Sequence, residues 1–291
     1  MGPWRVNGFT SQIAKVVALS AIVGLSIASW RVVSAAEIQV PDAVKTAGVL
    51  RMGLSNALPP LQFKDPETGE FRGMNVDIGR EIAARLGVKA EFNEMLFAQY
   101  IPSLQTGRID IIMGGLSDLP ERHSIMEMVD YFRDFYQVYA LSNSQLKELS
   151  DLCGKRAGAI RSTVWYKVML AKSESDCVQK GMPAVKLIGT ESTPDTRLQL
   201  TQGRIDAALQ GFVEVPYMIA ESKGLYKTIG EPFAPEFKAI GVRKGDVALR
   251  DAIADALDAM IKDGTYAKIL ARYQLSKLAI SEVYLNSEPR K

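Results

Sequence analysis

Between residues 49 and 275 the chain alternates short apolar runs with longer stretches whose apolar residues recur every three or four positions. The short runs predict strands at 49–54, 88–92, 109–113 and 138–141, and the longer stretches predict helices at 75–86 and 98–106. In the first helix Ile78, Ile82 and Leu86 share a face, Glu81 and Arg85 form an i,i+4 pair, Asn75 offers an N-cap and Gly87 a stop. The pattern then restarts, with strands expected at 156–160, 185–188 and 205–209 and helices at 163–171, 194–201 and 214–221. A last strand at 238–242 precedes a helix over 247–261, on which Leu249, Ile253, Leu257 and Met260 share a face. Gly264 ends that helix, Thr265 can cap the next, and Tyr266, Ile269, Leu270 and Tyr273 continue the apolar stripe. Strands separated by helices of this length predict parallel sheets with right-handed crossovers, hence an α/β fold.

One stretch is written twice. "LQTGRIDIIMGG" (104–115) returns 96 positions later as "LTQGRIDAALQG" (200–211), with Gly107 to Asp110 identical to Gly203 to Asp206. Each copy follows an amphipathic stretch and leads into an apolar run, so one helix–Gly–strand unit is expected in each of two α/β halves. Ligands of open α/β sheets bind beyond the carboxyl ends of the strands. Residues 114–117 and 210–214 are therefore expected at such edges, and two facing edges make a cleft. The alternative is chance, since Gly after a helix and Ile in a strand are both common.

Charge separates the first 36 residues from the rest. They hold Arg5, Lys15 and Arg31, no acidic residue, an uncharged run over 16–30, and the small residues Ser34, Ala35 and Ala36 at their end. This layout predicts a signal peptide cleaved near Ala36 and an exported, soluble mature chain. An uncleaved anchor is the alternative, although 15 uncharged residues are short for a span. Cleavage leaves 32 basic against 33 acidic residues, a net charge of −1, so the basic pI belongs to the leader and implies no nucleic-acid partner. No cysteine stands at the cleavage point, so no lipid attachment is expected. Cys153 and Cys177 are disulfide candidates in an oxidising compartment, with two buried free thiols as the alternative. His123 is the single histidine, which leaves little for a Ser-His-Asp triad or a histidine metal cluster. There is no phosphate loop, no G-x-G-x-x-G and no C-x-x-C. Neither a metal nor a cofactor is expected, and the residues do not advertise an enzyme.

Three segments carry a resemblance. "GVLRMGLSNALPPLQFKDPETGEFRGMNVDIGREIAARLG", then "YIPSLQTGRIDIIMGGLSDLPERHSIMEMVDYF", and the tail "GVRKGDVALRDAIADALDAMIKDGTYAKILARYQL" are similar to the polar-amino-acid family of periplasmic solute-binding proteins that serve ABC transporters. The match runs through residues 45–275 in the expected order. It implies two α/β lobes with mixed, mainly parallel sheets, joined by two hinge strands and closing on ligand, the periplasmic binding protein type II architecture. Lobe 1 would be discontinuous, 37–138 plus 236–291, lobe 2 would be 139–235, and the hinge strands would lie at 138–141 and 238–242. Arg122 falls on the arginine of the family's T-P-E-R segment, which binds the ligand α-carboxylate; a guanidinium suits this with its planar fork of donors. By the same resemblance Ser117 helps hold that carboxylate and Gly115 offers a carbonyl to an ammonium. Ser162 and Thr163 form the lobe 2 loop that closes over the carboxylate, and Phe97 packs on the ligand side chain. Without the resemblance Arg122 reads as a solvated loop residue, Ser162 and Thr163 as N-caps, and Phe97 as core.

The departures from the family bear on the ligand. The usual aspartate after the second repeat, which pairs with the ligand ammonium, is Gly211, and the nearest carboxylate is Glu214, three residues on. The usual tyrosine before proline is Leu58, an acidic position of basic-amino-acid binders is Ser55, and the familiar S-I-T reads Ser117-Asp118-Leu119. A buried ammonium without a carboxylate partner is costly. The expected ligand is therefore a carboxylate other than a standard basic amino acid, and not necessarily an α-amino acid. The resemblance implies a monomeric transport receptor for an inner-membrane ABC permease. Periplasmic cyclohexadienyl dehydratases, which turn over prephenate or arogenate, resemble the same family and supply one alternative, with Glu214 as the candidate acid. An accessory or sensory binder without a permease is another.

Overall fold

In the computed structural model, which describes residues 38–290, the first half of the chain runs α1 (Asp42–Ala47), β1 (Val49–Leu54), a small antiparallel sheet of β2 (Ala57–Leu58), β3 (Gln62–Lys64) and β4 (Phe71–Arg72), α2 (Met74–Arg85), β5 (Lys89–Glu94), α3 (Tyr100–Gln105) and β6 (Ile111–Ser117). The long β7 (Met126–Leu141) leads into β8 (Arg156–Ile160), α4 (Val164–Asp176), β9 (Lys186–Thr190), α5 (Thr193–Thr201), β10 (Ala207–Gly211) and α6 (Glu214–Glu221). An equally long β11 (Tyr226–Arg243) returns, followed by α7 (Val247–Lys262), α8 (Thr265–Arg272) and the strands β12 (Tyr284–Leu285) and β13 (Glu288–Pro289). The expected leader, 1–36, lies outside the described residues.

The main sheet has the order β5-β1-β6-β11-β7-β10-β8-β9. Its flanks are parallel, β1 with β5 and β6 on one side and β8 with β9 and β10 on the other. Its centre is antiparallel, through β6·β11, β11·β7 and β7·β10. Two parallel α/β halves thus share one mixed sheet; the alternation of elements predicts the parallel flanks, and the resemblance implies the mixed sheet and the strands that join them. Helices α2, α7 and α8 cover the first flank, where Ile78, Ile82, Leu257, Met260 and Tyr266 join Met52, Ile111 and Ile240 in one core. A second core gathers Val138, Ala157, Ala159, Trp165, Met169 and Leu209. A disulfide between Cys153 and Cys177 ties the segment before β8 to the end of α4.

The sequence reading places the crossing between halves at 138–141 and 238–242, and the structure moves it. Residues 238–242 pair with β6 and belong to the first half, while 136–139 pair with β10 and belong to the second. The crossing lies between them, where the β7·β11 register breaks between Ile229 and Phe233 and again between Phe233 and Glu236. The apolar pattern showed only the ends of strands that are 16 and 18 residues long, because Asp134, Glu236 and Lys238 interrupt their middles. Two helix starts also differ. Gly73, not Asn75, precedes α2; Asn75 is buried, donating to Gln62 Oε1 at 2.6 Å and accepting from Tyr131 Oη at 2.8 Å. Gly264, in a left-handed conformation, precedes α8, so Thr265 is its first residue and not its cap.

The duplicated stretch builds the same joint twice. Asp110 accepts from the Arg51 backbone N–H at 2.9 Å and from its guanidinium at 3.0 and 2.6 Å. Asp206 does the same with Arg156, at 2.8, 3.1 and 2.6 Å. In return the Asp110 and Asp206 N–H groups donate to the Arg51 and Arg156 carbonyls, both at 2.8 Å. The preceding isoleucines sit over glycines of the neighbouring strand: a Cβ on Gly53 would lie 2.5 Å from Ile109 Cδ1, and one on Gly158 2.4 Å from Ile205 Cδ1. The repeat is therefore a clamp, G-R-I-D closing on R-x-G, which sets the register of one strand in each flank.

Candidate functional site

The parallel strands deliver their carboxyl ends to one place. A cavity of about 690 Å³ is lined by residues at or just beyond the ends of all six: Ser55 and Leu58 after β1, Met95 and Phe97 after β5, Gly115 and Ser117 of β6, Thr163 and Trp165 after β8, Ser192 and Thr193 after β9, and Glu214 after β10. The central strand β11 adds Lys238. Of the residues singled out in the sequence, Ser55, Leu58, Phe97, Gly115, Ser117, Thr163 and Glu214 share this cavity.

Arg122 stands immediately behind the wall. It is buried, its Nη1 donates to the Ser117 carbonyl at 2.6 Å, and its guanidinium lies 6.0 Å from the centre of the Phe97 ring. It is thus no solvated loop residue, and burial pulls its pKa below the usual value. The short helical turn Pro120–Arg122 presents it, and the loop is pinned from the opposite side. Buried Asp118 accepts from His123 Nε2 and, at 2.9 Å, from Ser287 Oγ. Asp130, whose pKa is pushed up to about 9 by burial and by Asp118, accepts the Ser287 N–H at 3.0 Å. The segment joining β12 to β13 therefore holds the loop that carries Arg122.

Across the cavity, Thr163 precedes α4 in an extended conformation but does not cap it. Its hydroxyl donates to the Ile160 carbonyl at 2.7 Å. The N-terminus of a helix offers N–H groups and a positive dipole end to an anion, and here Val164 and Trp165 bring that end to the cavity. Ser162 does not join them; it is exposed in the turn before α4. Phe97 serves both of its readings, lining the cavity and packing on Tyr100 with ring centres 4.9 Å apart.

Gly211 does not reach the cavity either, and its reason is specific. A Cβ there would lie 2.3 Å from Glu214 Oε2 and 2.8 Å from Asp134 Oδ2. The space that a side chain at residue 211 would take is filled by the carboxyl groups of Glu214 and Asp134. Lys238 completes the group. Its ammonium is buried, donates to Glu236 and to Ser117 Oγ at 3.2 Å, and stands 3.8 Å from Asp134 Oδ2. Glu236 also accepts from Tyr136 Oη. Burial pushes the Lys238 pKa down, but Glu236, Asp134 and Glu214 together outweigh it, so the pKa is raised and the lysine stays charged. Burial drives Asp134 well above the carboxylate range, with Glu214 adding to the effect and Lys238 opposing it. Burial likewise lifts Glu214 to about 7, against the pull of Lys238. Asp134 Oδ2 and Glu214 Oε2 are buried and have no hydrogen-bond partner.

Lys238, Asp134, Glu236 and Trp165 were not singled out in the sequence. A signal was present: side chains two apart on a strand share a face, so Glu236 with Lys238, and Asp134 with Tyr136, place charge and polarity on one side of otherwise apolar strands.

Comparison with known proteins agrees with this fold. Residues 50–276 match the family model of bacterial extracellular solute-binding proteins, family 3. The arginine-binding protein ArgT of Corynebacterium glutamicum is 26% identical over 257 residues, covering 87% of this chain and 84% of that protein. An ancestral arginine-binding protein, solved with arginine bound, superposes with a TM-score of 0.71 at 31% identity, over 78% of this chain and 98% of that one. The ancestral amino-acid-binding protein AncCDT-1, described as a precursor of cyclohexadienyl dehydratase, superposes with a TM-score of 0.69 at 26% identity, over 80% and 98%. The sheet, the cavity at its strand ends and the match over most of the chain lead to one conclusion: the chain belongs to the bacterial extracellular solute-binding proteins, family 3.

Proposed function

We propose that this protein is exported to the periplasm, with its leader cleaved near Ala36, and captures a small carboxylate-bearing solute, amino acid or amino-acid-like, for delivery to an ABC permease. The two halves act as lobes, 37–138 with 236–291 and 139–235 as the resemblance implies, except that 136–138 go with the second, and they turn about the register breaks in β7 and β11. The observation that carries this reading is the convergence of six strand ends on one cavity with Arg122 buried directly behind Ser117. A carboxylate there has the Arg122 guanidinium just behind Ser117 on one side and the start of α4 on the other, so binding it draws the halves together. The names of the relatives, arginine-binding among them, support an amino-acid-like ligand.

A thermal-shift panel on the chain from Glu37, unfolded and refolded to strip carried ligand, tests the reading. A ligand at 100 times its Kd adds about 2.7 kcal/mol to the native state, which is a shift of several degrees for a chain of this size. The expected hit carries a carboxylate, and the shift vanishes in Arg122→Ala. A panel in which no carboxylate shifts the midpoint, or a hit indifferent to Arg122, rejects it.

One observation favours a second reading, a dehydratase on the same scaffold. Glu214 is a cavity carboxyl raised to about 7 beside a lysine, and a general acid works best with a pKa near the operating pH. The likeness to AncCDT-1 points the same way. Turnover of prephenate that disappears in Glu214→Gln would establish it; stoichiometric binding without product would dismiss it.

A further inference from the structure

The cavity floor carries its own ammonium, and this constrains what the ligand presents to it. Lys238 lines the cavity together with Ser117 and Glu214. The carboxylates around it are already occupied or out of reach. Glu236 accepts from both Lys238 Nζ and Tyr136 Oη. Asp134 accepts the Val213 N–H at 3.3 Å, and its side chain has no exposure. Of these, Glu214 faces the cavity, with its pKa raised to about 7; Glu94 and Glu191, which also line the cavity, are paired with Lys64 and Arg161. Gly211 offers nothing, because the Glu214 and Asp134 carboxyl groups fill the place where a side chain would grow. A ligand whose carboxylate is drawn toward Arg122 and α4 therefore meets a cation, a hydroxyl and an acid proton beside its α-carbon. An α-ammonium there sits against the Lys238 charge, and the carboxyl beside it, Glu214, is held partly protonated. An oxygen accepts from both Lys238 and Glu214.

Resting on the carboxylate-capture reading, we infer that the cleft selects carboxylates with an oxygen substituent next to the carboxyl group, 2-oxo or 2-hydroxy acids, over the matching 2-amino acids, and that Lys238 is the specificity-determining residue. The remaining wall describes the rest of the ligand. Leu58, Met95, Phe97 and Trp165 line the same cavity, with polar groups such as Asn56, Gln99 and Thr193 between them, so the tail rests on apolar and aromatic surface.

The experiment is calorimetric titration of the stripped chain from Glu37, which contains the whole described fold, with trios that share a side chain. Phenylalanine, phenyllactate and phenylpyruvate form one trio; leucine, 2-hydroxyisocaproate and 2-oxoisocaproate form the other. In at least one trio the oxo or hydroxy acid is expected to bind 10-fold or more tightly than the amino acid. Lys238→Gln, which keeps a donor but removes the charge, is expected to erase that advantage. An amino acid that binds as tightly as its partners, and is lost in Arg122→Ala, overturns the inference while leaving the capture of carboxylates standing. If no member of either trio binds, the inference falls, and a carboxylate hit in the wider thermal-shift panel decides whether the capture reading falls with it. Should Lys238→Gln show no cooperative melting, the order of affinities in the native chain decides alone.

Discussion

Asp110 and Asp206 each accept three hydrogen bonds from one arginine, and the equivalence is open to measurement. Asp110→Ala and Asp206→Ala are each expected to cost about 1–3 kcal/mol, the range for losing charged hydrogen-bond partners at a partly buried site, with the two losses within ~1 kcal/mol of each other. Urea unfolding checks both; a neutral change at either position would mean that the repeat is a coincidence of sequence. Gly211→Ala makes a different prediction. The atoms in its way are the ends of the Glu214 and Asp134 side chains, so the shift falls on the cavity floor more than on the backbone. Ligand affinity should drop by about 10-fold while stability falls by no more than ~2 kcal/mol. At this scale the sequence was half legible. Arg122, Ser117 and Phe97 stood out only through the resemblance to the family, and Glu214 as the nearest carboxylate to Gly211. Lys238, Asp134 and Glu236 did not, because their partners come from strands far apart in the chain and a single charge in a strand looks like a solvated edge.

Helices and flank strands follow the apolar period closely; β8 and α6 have the bounds that the pattern predicts. The central strands escaped it because their middles carry the cluster, and that cluster has a consequence for stability. Asp130 and Glu214 hold their protons more tightly folded than unfolded, with values of about 9 and about 7 against 3.8 and 4.5, and Asp134 is raised in the same direction. The folded state therefore binds more protons than the unfolded one across this window. Stability is fully present below the unfolded values and is lost as pH rises through the folded ones. The melting midpoint should fall between about pH 5 and pH 8, and Glu214→Gln should flatten that slope, with a contribution on the order of 2–3 kcal/mol. A midpoint that rises over this range would contradict the assignment. Reduction of the Cys153–Cys177 bond, 24 residues apart, should lower stability by about 3 kcal/mol through the freed loop, seen as a lower midpoint in the presence of a reductant.

For the whole molecule, the two halves are joined by β7 and β11, and the cavity is walled by both. Every polar group argued to meet the ligand sits at or beside the end of a strand, or at the crossing, so small rotations about the register breaks change the cavity more than either core. This is the basis for treating capture as closure. The chain from Glu37 provides its own reporter: tryptophan occurs at positions 4, 30 and 165, which leaves Trp165, in the cavity wall, as the sole tryptophan of that chain. The most direct test of the central claim is therefore a Trp165 fluorescence titration with the strongest carboxylate hit. The account predicts a saturable change at one ligand per chain, weakened at least 100-fold in Arg122→Ala. A ligand that raises the melting midpoint yet leaves Trp165 emission unchanged, or that binds Arg122→Ala as well as the native chain, would put binding elsewhere and contradict it.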